Sequence, residues 1–370
     1  LRSDDANAPA VWTKKARMYN NGTVKPFGGY NLNNSFDGDN NWYSDRAAET
    51  TPHWVITETW NYFKNTFNRN GINNSGIELK VQGDANMENA YFDGNDGLVF
   101  GRSNGNHLAT KDICGHEYGH GVTQHCAGLV YQNESGALNE SFSDIFGYEV
   151  ERYLNGGVHT NWNMGEDASW IKRRMNNPLN SAIIGNNNYC QDHQTTQPAF
   201  YFGARWYSGS CDNGGVHINS GVQNYWFYLL TQGSVGAPEG TFNNISVSGI
   251  GADKARNISY YNLDVYMGAN SSYLDARNGA VMSAINIYGL CSDETKQTKN
   301  AWAGVGIGLA VSGKSNLIAS GEASVEIIKK NINRKKRISA RAPVSTSDAS
   351  LALFLKFIEL GFRRWFVKNI

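Results

Sequence analysis

Apolar positions in this chain follow two patterns. From Val11 to about Val99, short alternating apolar and polar runs are cut by clusters of Asn, Gly and Asp, such as Phe27-Gly28-Gly29-Tyr30 and Asp37-Gly38-Asp39-Asn40. That is the signature of short strands and turns. Residues 53–67 break the rule: Trp54, Val55, Trp60, Phe63 and Phe67 recur near helical spacing and predict an amphipathic helix against the sheet. From Asp112 onward, spacings of three and four dominate. They predict helices over Lys111–Cys126, residues 136–154, residues 220–232 and Tyr273–Tyr288. Strands first and helices later predict an α+β chain of two lobes. The β-rich lobe spans residues 1–131 and closes with the first of these helices, and a helical lobe spans residues 132–310. The length of 370 residues agrees, because single cores seldom grow past roughly 250 to 300 residues.

Composition adds a compartment and removes some partners. Charged residues make up 18%, below the roughly 25% of ordinary soluble domains, while Asn, Gly, Tyr and Trp are plentiful, a balance closer to extracellular proteins. Basic and acidic side chains number 33 each, so no global field points to nucleic acid. The balance is uneven along the chain: residues 311–370 hold 12 basic and 4 acidic side chains, leaving 21 and 29 in residues 1–310. Residues 311–370 are therefore a basic extension. Its apolar positions between Leu351 and Ile370, among lysines and arginines, admit three readings: a helix lying on an anionic membrane, a sorting segment that is clipped, or a stretch without an evolved role. A dispensable extension is preferred. No run of eighteen uncharged apolar residues predicts a spanning helix. Leu1-Arg2-Ser3-Asp4-Asp5 has no apolar run behind it, so secretion requires a signal already removed. Of the five cysteines, Cys114 and Cys126 lie twelve residues apart on one predicted helix, about 18 Å, too far to bond. Cys190 and Cys211 flank a loop-like stretch and can either pair or stay free.

The chemistry concentrates in His116-Glu117-Tyr118-Gly119-His120, an HExxH sequence in a helical window. Residues four apart share a helix face, so both histidines can present a nitrogen to one zinc ion while Glu117 points beside it toward a water. The offset matters because a ligand must stay bound whereas a base must be free to take a proton. HExxH alone also occurs on ordinary polar helix faces. Asn139-Glu140-Ser141-Phe142-Ser143-Asp144 follows on the next predicted helix, with Asn133-Glu134-Ser135-Gly136 read as the turn between the two. Glu140 is the candidate third ligand, and Asp144, one turn on, the candidate partner of a zinc histidine's outer nitrogen. Two histidines and a carboxylate leave the fourth position to water, as in catalytic sites. The competing HExxHxxGxxH layout needs Gly and His where this chain has Thr123 and Cys126.

These residues resemble the thermolysin family of neutral metalloendopeptidases. The likeness runs through His116–His120, the stretch from Ala127 to Glu140, and Ser143-Asp144-Ile145-Phe146-Gly147. It continues in Asp212-Asn213-Gly214-Gly215-Val216-His217 and in Asn89-Ala90-Tyr91-Phe92, and spans roughly residues 14–310. The resemblance implies a secreted zinc endopeptidase, freed of signal and propeptide, acting as a monomer on protein and peptide substrates at the amino side of apolar residues. The zinc cleft would lie between the two lobes, on a central helix carrying HExxH. His116, His120 and Glu140 would bind zinc and Glu117 would activate the bound water. His217 and Tyr131 would stabilise the oxyanion, with Asp212 holding the His217 ring. Arg173 would hold the carbonyl beyond the scissile bond, though neighbouring Arg174 leaves the register open by one. Asn89 and Ala90 would pair with an extended substrate as an added strand; Tyr91 and Phe92 read equally well as core aromatics. Asp112, Glu151 and Glu166 match carboxylates that bind calcium in the family, and one site is expected because Asn161 and Asn163 stand where further acids would be. Two other readings remain: a zinc-holding peptide-binding module, which should lack Glu117 or His217, and a β-rich adhesion protein with a chance HExxH.

Overall fold

The computed structural model describes residues 47–158, 161–169, 172–182 and 196–311, together with the strand at residues 11–15, and gives backbone alone for 11–15 and 47–50. The readings on Phe27–Tyr30, Asp37–Asn40, Cys190 and the basic extension lie outside these residues. All described residues belong to one compact unit, Leu1–Leu317.

Four short strands make the first sheet: β1 (Val11–Lys15), β2 (Leu79–Gly83), β3 (Ala90–Phe92) and β4 (Gly97–Phe100), in the order β1-β2-β4-β3. β1 pairs with β2, and β2 with β4, in parallel, while β3 runs antiparallel to β4 and forms an edge. The parallel pairing is not visible in alternation alone, which carries no direction. Helix α1 (Ala47–Phe67) packs Val55, Ile56, Trp60, Tyr62 and Phe63 into the same core as Leu79, Val81, Leu98 and Phe100 of the sheet. Its start falls six residues before the predicted one because Pro52, a usual helix opener, sits inside it. Trp54 lies on the outer side, 50% exposed, rather than on the apolar stripe.

Two short hairpins follow in the chain. β5 (Arg102–Ser103) pairs with β6 (Asn106–His107), and later β7 (Asn163–Met164) pairs with β8 (Arg173–Arg174). Between them run the two helices that matter most, α2 (Lys111–Cys126) and α3 (Asn133–Leu154). α2 has the predicted bounds. α3 opens three residues early, so Asn133–Gly136 is its first turn, and the connection is the stretch 127–132. The helices touch backbone to backbone: a Cβ on Gly147 would lie 2.4 Å from the Asp112 carbonyl oxygen, and one on Gly115 would lie 2.9 Å from the Gly147 Cα.

Beyond β8 the described residues are mainly helical: α4 (Asp212–Asn219), α5 (Gly221–Gln232), α6 (Ala252–Tyr261), α7 (Tyr273–Tyr288) and α8 (Asp293–Gly304). α5 is buried from Gly221 to Thr231 and threads the centre of this half. α4, α6 and α8 were not predicted. α6 buries only Ala255, Ile258 and Ser259, and α8 buries Thr295, Gln297, Thr298, Lys299 and Asn300 beside Ala301, Trp302 and Ala303, so large apolar residues are sparse on both. Cys114, Cys126 and Cys291 are free. Cys211 is disulfide-bonded, with its partner outside the described residues.

Candidate metal centre

The four-residue spacing on α2 brings His116 Nε2 and His120 Nε2 to 3.0 Å of each other, with their rings perpendicular. Glu140 reaches across from α3, its Oε2 lying 3.5 Å from His116 Nε2 and its Oε1 3.4 Å from His120 Nε2. All three ligand atoms fall within 4.8 Å of one another, and among the described residues this is the one such group of His, Cys, Asp or Glu. Glu140 is buried and its Oε2 has no hydrogen-bond partner. A buried carboxylate oxygen left bare is costly unless a cation meets it, and two imidazoles with a carboxylate are a donor set that zinc accepts. The residues therefore fit the ion.

The outer nitrogens of both histidines are fixed. His116 Nδ1 lies 2.8 Å from Asp144 Oδ1, and His120 Nδ1 lies 2.8 Å from Asn139 Oδ1 and 3.1 Å from Ser143 Oγ. Each contact leaves Nε2 as the atom turned to the metal. Asp144 also accepts from Arg173 Nε and Nη2, both at 2.7 Å, and from Asn224 Nδ2 at 2.7 Å. Burial works to raise the Asp144 pKa, yet the Arg173 guanidinium and the His116 bond outweigh it and hold it below the usual carboxylate range. Glu140 is likewise held well below that range, burial being overcome by His217, His120 and His116. Sequence reasoning placed Asp144 but missed Asn139, Ser143 and Asn224 as supports. The first two sit inside the motif, four residues apart on α3 and on either side of Glu140, whereas Asn224 carries no local signal.

Opposite the ligands stands His217, on α4. Its Nδ1 lies 2.6 Å from Asp212 Oδ1, and its backbone N–H donates to Asp212 Oδ2 at 2.8 Å. Its Nε2 lies 3.1 Å from the Tyr131 hydroxyl and 3.4 Å from Glu140 Oε1. The Tyr131 hydroxyl donates to Glu140 Oε1. Desolvation works against a charged imidazole, but the Glu140 and Asp212 carboxylates prevail and push the His217 pKa up to about 9. Glu117, 6% exposed, lies on α2 directly after His116.

Arg173 and Arg174 point to different neighbours. Arg173 joins the centre through Asp144, while Arg174 donates to Asn163 Oδ1 and to the Asn180 carbonyl, both at 3.0 Å. Of the two, Arg173 is the one that lies against the metal centre. Ala90 lies on edge strand β3, and Asn89, just before it, is exposed and accepts from the Gly101 N–H at 2.9 Å. Tyr91 and Phe92 are half-buried, Phe92 packing on the core.

The carboxylates matched to calcium are drawn together only in part. Asp112 is buried, its Oδ1 taking Ile113 N–H at 2.8 Å and its Oδ2 taking Gly165 N–H. Glu166 accepts from Asn161 Nδ2 at 2.5 Å on one oxygen and has its other oxygen buried without a hydrogen-bond partner. Burial, then the Asp112 charge, raises the Glu166 pKa. Glu151 is buried on α3 and meets Asn155 Nδ2 at 3.4 Å. The three do not bring ligand atoms within 4.8 Å of one another as the histidine site does.

Two histidines on one helix and a carboxylate on the next define an open three-ligand metal centre of the hydrolytic kind, not a closed structural one. Comparison with known proteins narrows this class. The family model for the thermolysin metallopeptidase catalytic domain matches residues 4–124, and that for its alpha-helical domain matches residues 127–307. The chain is 38% identical over 267 residues to a bacillolysin of Bacillus cereus, covering 70% of this chain and 44% of that protein. It is 36% identical over 284 residues to a thermolysin of Bacillus caldolyticus, covering 73% and 47%. The solved precursor of protealysin, a metalloproteinase from Serratia proteamaculans, aligns with a TM-score of 0.60 at 25% identity over 80% of this chain and 86% of that one. The chain belongs to the thermolysin metallopeptidase family. It spans about half the length of the curated relatives it matches. The family is zinc-dependent, and His116, His120 and Glu140 supply the donor set for that ion. Among the described residues no helix is long and apolar enough to cross a membrane.

Proposed function

We propose that the chain is a secreted zinc endopeptidase that hydrolyses protein and peptide substrates on the amino side of apolar residues. The observation that carries this reading is the convergence of His116, His120 and Glu140 with His217 and Tyr131 around one carboxylate. A bound zinc ion supplies Lewis acidity and makes water nucleophilic near neutral pH. Glu117 takes the proton of the attacking water and passes it to the leaving nitrogen. The His217 Nε2–H, kept donating by Asp212, and the Tyr131 hydroxyl turn to the oxyanion of the tetrahedral intermediate. Arg173, held by Asp144, orients the substrate carbonyl beyond the scissile bond. β3 receives the substrate as an added strand through Asn89 and the Ala90 backbone, so affinity comes from main-chain bonds and selection from one apolar pocket. A structural calcium at Asp112, Glu151 and Glu166 rests on the family resemblance, with the bare buried Glu166 oxygen as its one local support.

The test is cleavage of an internally quenched peptide before and after zinc is stripped and restored. Activity should vanish with the metal and return with it. Zinc bound without cleavage would instead favour a peptide-binding module on the same fold.

A further inference from the structure

His217 enters the centre from a backbone that does not hold itself. The four residues Asp212, Asn213, Gly214 and Gly215 have φ of 50, 50, 84 and 82°, a left-handed run that L side chains adopt only at a cost. Such a segment keeps its shape through outside tethers. Asp212 supplies one, to the His217 ring and N–H. A second comes from Gln197, which is fully buried. Its Nε2 donates to the His217 carbonyl at 2.8 Å and to Ser220 Oγ at 2.9 Å, while its Oε1 accepts from Ser181 Oγ at 3.1 Å. The same Ser181 hydroxyl accepts the Arg174 N–H at 2.9 Å, the residue after Arg173 on β8. Gly221 makes the room, since a Cβ there would lie 2.6 Å from the Gln197 Cβ. The Ser220 hydroxyl donates to the same His217 carbonyl at 3.0 Å, so Gln197 links that carbonyl and Ser220 at its donor end to Ser181 at its acceptor end, which one carboxamide can do.

We propose that Gln197 is a positioning residue that ties the His217 backbone to β8 and so holds the oxyanion donor in register with the strand carrying Arg173. The inference rests on the role given to His217 above.

Gln197→Leu keeps the bulk but removes donor and acceptor, and Ser181→Ala cuts only the outer link. Both are assayed in the zinc-loaded chain, with His217 intact and with His217→Ala, reading kcat, KM and zinc content. Gln197→Leu should lower kcat about ten- to a hundredfold, since small misplacements of a transition-state donor cost that much. KM and zinc content should stay within about twofold, because Arg173 and the ligands keep their own bonds. Ser181→Ala should act in the same direction by a smaller factor. In the His217→Ala background neither change should move kcat by more than about twofold. Equal factors in both backgrounds would mark a general loss of packing and overturn the proposal, as would an unchanged kcat in Gln197→Leu. If Gln197→Leu does not fold, the Ser181→Ala cycle decides. Full activity of His217→Ala alone would overturn the reading of His217 and this proposal with it, whereas a crippled His217→Ala beside additive Gln197 effects overturns this proposal only.

Discussion

Each oxygen of Asp144 accepts two hydrogen bonds: Oδ1 from His116 and Arg173, Oδ2 from Arg173 and Asn224. A buried carboxylate stays ionised only with such company, and here its charge fixes the tautomer of a ligand. Asp144→Asn preserves the shape and removes the charge. Zinc affinity, measured by competition with a chelator, should fall about 10- to 100-fold; an unchanged affinity would mean that something else orients His116. Glu117→Gln should instead keep zinc and lower kcat by about 10²- to 10⁴-fold, and a variant with full turnover would remove Glu117 from the reaction. Both residues were legible in the sequence because each stands beside a ligand inside a motif, Glu117 directly after His116 and Asp144 one turn after Glu140. Asn224 was not, since 80 residues separate it from Asp144 and only the fold brings them together.

α2 and α3 show what spacing can and cannot reveal about elements. The bounds of α2 were readable from its motif and period, but its depth against α3 depends on the absence of side chains, which no period records. Gly147→Ala would drive a methyl into the Asp112 carbonyl oxygen at 2.4 Å and Met164 Cε at 2.9 Å. It should cost about 1–3 kcal/mol in denaturant unfolding. Gly268→Ala, with nothing within 4 Å, serves as the control and should stay within about 0.5 kcal/mol. Equal losses would remove the close approach from the account. α4, α6 and α8 escaped prediction for another reason. α6 and α8 bury few large apolar residues, and α8 adds polar ones met by distant partners, as Asn300 is by the Val311 N–H and Gln297 by the Ser248 N–H, so the apolar count along each helix is low. α4 also begins with left-handed residues, which read as a glycine loop.

At the scale of the whole molecule, the metal ligands come from both family domains: His116 and His120 from the catalytic domain, Glu140 from the alpha-helical one. An ion held there binds the folded chain alone. Zinc at about 100 times its Kd should therefore stabilise by about 2.7 kcal/mol, seen as a higher Tm for the metal-loaded chain than for the stripped one. Equal melting temperatures would show that the ion does not clamp α2 to α3. The change from strands to helices along the chain was legible from their periods, while the parallel order of the sheet was not, because pairing direction leaves no trace in one strand. Among the described strands β3 is last in its sheet, and that position bears on what an endopeptidase of the proposed kind would meet in its surroundings. A chain that must lie down as another strand cannot do so while its own backbone groups are engaged in a helix or a sheet. On the function proposed above, selection would therefore begin with the state of the target: loose loops and unfolded tails would come within reach before a tightly folded neighbour does.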